Sequence, residues 1–130
     1  MSLRVFLFGE AEKGDMCSPL RLENLVDLAE RLGNPPSDSI GIDYAVQTLL
    51  FKHELIYYRI AEEGFSHKDY MRGVKLLYNY GRKMNLSAIC LPGVGDRRII
   101  ESLGPFCQQI NALLVFTEKD LYDYLTGSKY

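Results

Sequence analysis

Three short apolar runs constrain this chain more than any other feature. They are residues 4–8 (Arg-Val-Phe-Leu-Phe), 86–91 (Leu-Ser-Ala-Ile-Cys-Leu) and 112–116 (Ala-Leu-Leu-Val-Phe). Each stops at a glycine or a polar cluster: Gly9, Pro92-Gly93 and Thr117-Glu118. Strands that do not alternate apolar with polar residues are buried on both faces, which is the habit of parallel sheets. Parallel neighbours need crossovers, and the crossovers are normally helices.

The intervening segments supply those helices. Residues 20–32 place Leu22, Leu25, Val26, Ala29 and Leu32 at helical spacing, with Ser18 as N-cap, Pro19 in the first turn and Gly33 at the end. Residues 34–41, with two prolines and two serines, predict a loop. Asp43 is placed to cap the next helix. From Val46, positions 46, 49, 50, 53, 56, 57 and 60 share one helical face, with His53 its one polar member. A strand starting at Leu55 competes with that reading, because Ile56, Tyr57, Tyr58 and Ile60 are good strand formers. The lack of any Gly or Pro between Leu50 and Leu55 favours an unbroken helix. Ser66 and Asp69 resemble a capping box ahead of a helix over 67–84. Residues 97–110 predict a helix disturbed by Gly104-Pro105, and 121–125 a short last one. The pattern predicts a single α/β domain over residues 1–130. It is expected to be small, Rossmann-like and three-layered, with a mostly parallel sheet of three or four strands flanked by helices.

Composition removes several classes. With 15 basic and 17 acidic residues the formal charge is −2, so no nucleic-acid partner is expected. No apolar stretch approaches a membrane span, no signal peptide is read at the start, and no membrane partner is expected. The 3 cysteines, Cys17, Cys90 and Cys107, have no pairing or C-x-x-C spacing, and there are only 2 histidines. That argues for reduced thiols, a cytoplasmic setting and no metal site.

In open parallel sheets ligands bind beyond the strands' carboxyl ends. Here those ends deliver Gly9 to Asp15, Pro92 to Arg98, and Thr117 to Asp120. The second is the most informative. Gly93 and Gly95 permit close backbone approach, and a helix starts at once, so free amides and the positive end of its dipole face the turn. Asp96, Arg97 and Arg98 follow. Cations in a first helical turn are unfavourable unless an anion sits there. The competing reading has Asp96 capping the helix and the arginines in water. The segment resembles the Pro-Gly-Gly-x-Gly-Thr-x-x-Glu motif of the cytokinin-activating phosphoribohydrolases. It lacks one glycine, has Asp96 in place of the threonine, and carries Glu101 two positions beyond the family's glutamate, so it is read as convergence on a phosphate turn. In the first segment Glu10 and Glu12 are candidates for an acid–base pair and Lys13 for phosphate neutralisation. Cys17 is a candidate thiol nucleophile only if His53 or His67 lies beside it.

The leading expectation is thus a domain binding a nucleotide or other phosphate-bearing small molecule at the strand ends, with cofactor and enzymatic status unassigned. The alternative is a non-catalytic interaction or homodimerisation module. It would use the tyrosines Tyr57, Tyr58, Tyr70, Tyr78 and Tyr80, which the helical reading gathers on the central helices.

Overall fold

The computed structural model describes residues 3–127. Ten main elements follow in order: β1 (Arg4–Gly9), β2 (Pro19–Leu22), α1 (Leu25–Leu32), α2 (Gly41–Leu50), β3 (Glu54–Arg59), α3 (His67–Tyr80), β4 (Ala88–Cys90), α4 (Arg97–Ile110), β5 (Leu113–Val115) and α5 (Glu118–Thr126). A 3-10 turn, Gly81–Met84, extends α3. The five strands form one sheet in the order β2-β3-β1-β4-β5. β1 lies parallel to β3 (Val5 beside Leu55) and to β4 (Leu7 beside Cys90), and β4 lies parallel to β5. β2 alone runs antiparallel, with Leu20 opposite Tyr57.

The α/β class and the mostly parallel sheet flanked by helices agree with the sequence pattern. Successive residues of β1 go to opposite sides: Val5 and Leu7 join an apolar cluster with α1, α2 and α5, while Phe6 and Phe8 join one with α3 and α4. All four are fully buried, which explains the missing polar alternation.

Several expectations are corrected. The sheet has five strands, not three or four. Residues 19–22 do not open a helix. Pro-Leu-Arg-Leu alternates with period two, and its proline sits at the first position of an edge strand, where a missing N–H costs nothing. Helix α1 starts at Leu25, and Asn24 is its cap, accepting from the Asp27 amide at 2.8 Å. Asp43 does not cap α2 but lies in its first turn, where its charge suits the helix dipole.

The helix over 46–60 is also overturned: α2 stops at Leu50 and β3 begins at Glu54. The break is a Schellman motif. Lys52 takes a left-handed φ of 62°, its amide bonds the Leu49 carbonyl (3.0 Å), and the His53 amide bonds the Thr48 carbonyl (3.1 Å). Lysine holds the position usually given to glycine, so the sequence carries no visible stop. His53 consequently leaves the helical face. It sits in the turn, where its Nδ1 accepts from the Leu3 amide (3.0 Å) and its Nε2 donates to the Leu125 carbonyl (3.1 Å).

Ser66 and Asp69 form no capping box. The Ser66 hydroxyl donates to the Glu62 carbonyl, and Asp69 accepts from the Ala61 amide. Helix α4 runs unbroken through Gly104-Pro105, because Pro105 and Glu101, whose carbonyl loses its partner, both lie on the solvent face. Tyr57 and Tyr58 are strand residues buried to 0% and 1% exposure, and Tyr70 is buried too, so these three rings are core.

Candidate functional site

The carboxyl ends of β1, β3 and β4 are joined by the loop that follows β3. This loop, residues 60–66, crosses the end of β1 toward the turn after β4. Its Glu63 is 8% exposed, and its carboxylate accepts four hydrogen bonds. The donors are the Glu10 amide (2.8 Å), the Ser39 hydroxyl (2.7 Å), the Ile40 amide (2.9 Å) and the Gly41 amide (3.0 Å). Glu10 answers in kind, its carboxylate accepting from the Glu63 amide at 2.8 Å.

Helix α2 therefore starts on an internal anion, which satisfies two of its otherwise free amides and suits its dipole. The start of α2 also lies hard against the end of β1. A Cβ on Gly41 would meet Glu63 Oε2 at 2.6 Å and the Gly9 Cα at 2.9 Å, so only glycine fits. The Tyr57 hydroxyl fastens the same place by donating to the Glu10 carbonyl at 2.6 Å.

One residue further, Gly64 rests on the turn after β4: a Cβ there would lie 2.5 Å from the Gly93 carbonyl oxygen. Gly93 has φ +75°, and nothing lies within 4 Å of where a Cβ on Gly93 or Gly95 would stand. This turn is open. Asp96 then caps α4, its Oδ1 accepting from the Arg98 amide at 2.9 Å. The same carboxylate pairs with the Arg98 guanidinium (3.1 Å) and with His67 Nδ1 (3.2 Å). Hydrogen bonds from Arg98 hold the Asp96 carboxyl down at about 2, below the usual carboxylate range. An ionised Asp96 only accepts, so His67 Nδ1 carries the proton and Nε2 is left as the ring's other polar atom.

Arg97 reaches Glu101 at 3.5 Å. Both arginines of the first turn thus have a carboxylate beside them, and the cost of their position is offset within the chain. Their side chains remain 88% and 73% exposed for Arg97 and Arg98, with N–H groups left to give.

The candidate residues fall into three groups. Gly93, Gly95, Asp96, Arg97 and Arg98 stay together on the β4 side. Glu10 points into the Glu63 brace, away from any pairing with Glu12. Glu12 and Lys13 are tied to the other side, where both their amides bond the Leu32 carbonyl at the end of α1 and Glu12 Oε1 accepts from the Asn34 amide. Cys17, half-buried with a φ of 51°, lies beside Tyr58 instead of a histidine, and Cys90 and Cys107 are buried. Two open clefts, of about 220 and 250 Å³, border β2 and not the β4 turn.

Two residues escape sequence reasoning. His67 reads as an exposed first-turn residue, and Glu63 as one more surface charge. A glutamate followed by glycine just beyond a strand was the available signal for Glu63. For His67 the partner lies 29 residues away and leaves no local trace. Among the described residues no helix is long and apolar enough to cross a membrane, and no cluster of three or more His, Cys, Asp or Glu is placed to hold a metal. No protein-family model matches the chain, and no curated protein or solved structure shows significant similarity to it.

Proposed function

We propose that this chain is a cytoplasmic, single-domain, Rossmann-like protein of three layers that binds a phosphate-bearing small molecule at the turn between β4 and α4. The observation that carries the reading is the open Gly93–Gly95 backbone beside the His67–Asp96–Arg98 cluster, at the end of a strand next to the sheet's centre. Parallel sheets bind ligands where successive loops leave a strand end in opposite directions. The segment after β1 leads to α1 and α2, and that after β4 to α4, whose apolar residues belong to the other cluster. Arg97 and Arg98 supply charge, and Gly93 and Gly95 let a phosphate approach the main chain. Lys13 has no part in this reading. The cytoplasmic setting draws on three free cysteines, since a secreted domain would be expected to pair its thiols.

A thermal-shift screen with inorganic phosphate, sulfate, sugar phosphates and nucleotides tests it. A ligand that binds only the native state must raise the melting temperature. The rise should vanish in an Arg97→Ala, Arg98→Ala double variant. No rise with any of these at millimolar concentration removes the reading.

A second reading, a homodimerisation module, has its own observation. Leu50, Phe51 and Tyr122 are exposed, and the Phe51 and Tyr122 rings meet edge to face at 5.7 Å. Light scattering of the wild type and of a Phe51→Ser, Tyr122→Ser variant decides it. A wild-type monomer at all concentrations eliminates this reading.

A further inference from the structure

Phe65 is 77% exposed, the most exposed of the chain's large apolar side chains among the described residues. Water contact on this scale has no packing purpose, and the backbone on either side fixes the loop from which the ring projects. Gly64, just before it, lies against the Gly93 carbonyl, and the Phe65 carbonyl accepts from the amide of His67 at 2.8 Å, the residue whose ring is held by Asp96. The loop that carries this aromatic residue thus runs beside the oriented imidazole and the Arg98 guanidinium, which stand in the first turns of α3 and α4.

The amide of Arg98 is taken by the Asp96 cap, so the grouping depends on side chains and not on the end of α4. From it we infer that the ligand is a nucleotide, its base stacked on Phe65 and its phosphate facing His67 and Arg98. Stacking on an aromatic ring tolerates any base, because every base has a π-face. The spare guanidinium N–H groups of Arg98 suit the phosphate as forked donors, with the His67 ring beside them. This inference rests on the phosphate reading above and specifies the rest of the molecule.

The test uses AMP, ribose phosphate and inorganic phosphate as probes, with calorimetric titration of the wild type and of Phe65→Ala. A ring this exposed can be removed without opening the core, and an unchanged melting temperature verifies that. The chain has no tryptophan, so Phe65→Trp also places a single fluorescent reporter at the proposed stacking position. The expected result is AMP binding about ten-fold tighter than ribose phosphate. Phe65→Ala should erase that advantage and leave ribose phosphate unchanged, and AMP alone should quench Phe65→Trp. If AMP and ribose phosphate bind equally and Phe65→Ala alters neither, the inference is overturned and the phosphate reading stands. Equal loss of both ligands in Phe65→Ala also overturns it, because the ring would then be shaping the loop. If none of the three probes binds the wild type, both readings fall together.

Discussion

Replacing Glu63 by alanine tests the brace at the strand ends most directly. Four donors converge on one carboxylate that is 8% exposed, and two of them are the Ile40 and Gly41 amides at the start of α2. A hydrogen bond to a charged acceptor contributes about 1.5–3 kcal/mol net. The four do not add, because they share an acceptor and truncation returns the carboxylate's desolvation cost. The Ser39 hydroxyl can turn elsewhere and water can reach Ile40, while the Gly41 amide is buried with no replacement at hand. A net loss of about 3 kcal/mol follows. For a domain of this size that lowers the melting temperature by about 10 °C. Glu63→Gln keeps the shape and one oxygen, but its NH2 group faces a donor on one side, so it should cost about half as much. Urea denaturation measures both, with the m-value unchanged if only stability moves. A Glu63→Ala loss below about 1 kcal/mol refutes the reasoning, for the carboxylate would then be replaceable by water.

Three further outcomes are expected. Gly73→Ala, although it improves helix propensity, should destabilise by about 2 kcal/mol in denaturant titration, because its Cβ would run into the Phe8 ring across α3 and β1. The Asp96 carboxyl, lowered from 3.8 to about 2, contributes stability that is complete above about pH 4 and disappears as pH falls through about 2; the stability gap between wild type and Asp96→Ala should close over that window. Under native conditions an aromatic disulfide reagent should react quickly with one thiol per chain, Cys17, because Cys90 and Cys107 are buried and burial pushes both thiols up, Cys107 to about 11.

The elements legible in the sequence are those specified by their own residues. β1, β4 and β5 declare themselves by apolar runs, and α3 and α4 by helical spacing. What was hidden depends on partners. Pro19–Leu22 alternates over only four residues, too few to outweigh the proline's fitness for a helix start, and it is the pairing with Leu55 to Tyr58 of β3 that makes it a strand. The end of α2 was hidden because Lys52 occupies a left-handed position without the glycine that would announce it. The site divides in the same way. The glycine turn after β4 was readable, whereas the Glu10–Glu63 brace and the His67–Asp96 pair join residues 53 and 29 positions apart. The loop after β1 carries Lys13 toward the end of α1, where its amide bonds the Leu32 carbonyl, and a loop's position after a strand does not say which way it turns.

The strand order also governs how the chain acquires its structure. β1 lies at the centre, yet its two neighbours come much later: Val5 pairs with Leu55 on one side and Ala88 on the other. During synthesis at the ribosome its Val-Phe-Leu-Phe stretch must therefore wait, with one edge open until β3 has emerged and the other until β4 has. Pairings this distant in sequence slow folding, and an uncovered apolar edge is a hazard while they form. The central strand of the finished sheet is the one that a growing chain leaves unguarded longest, and it is there that a chaperone holding nascent chains would be expected to grip.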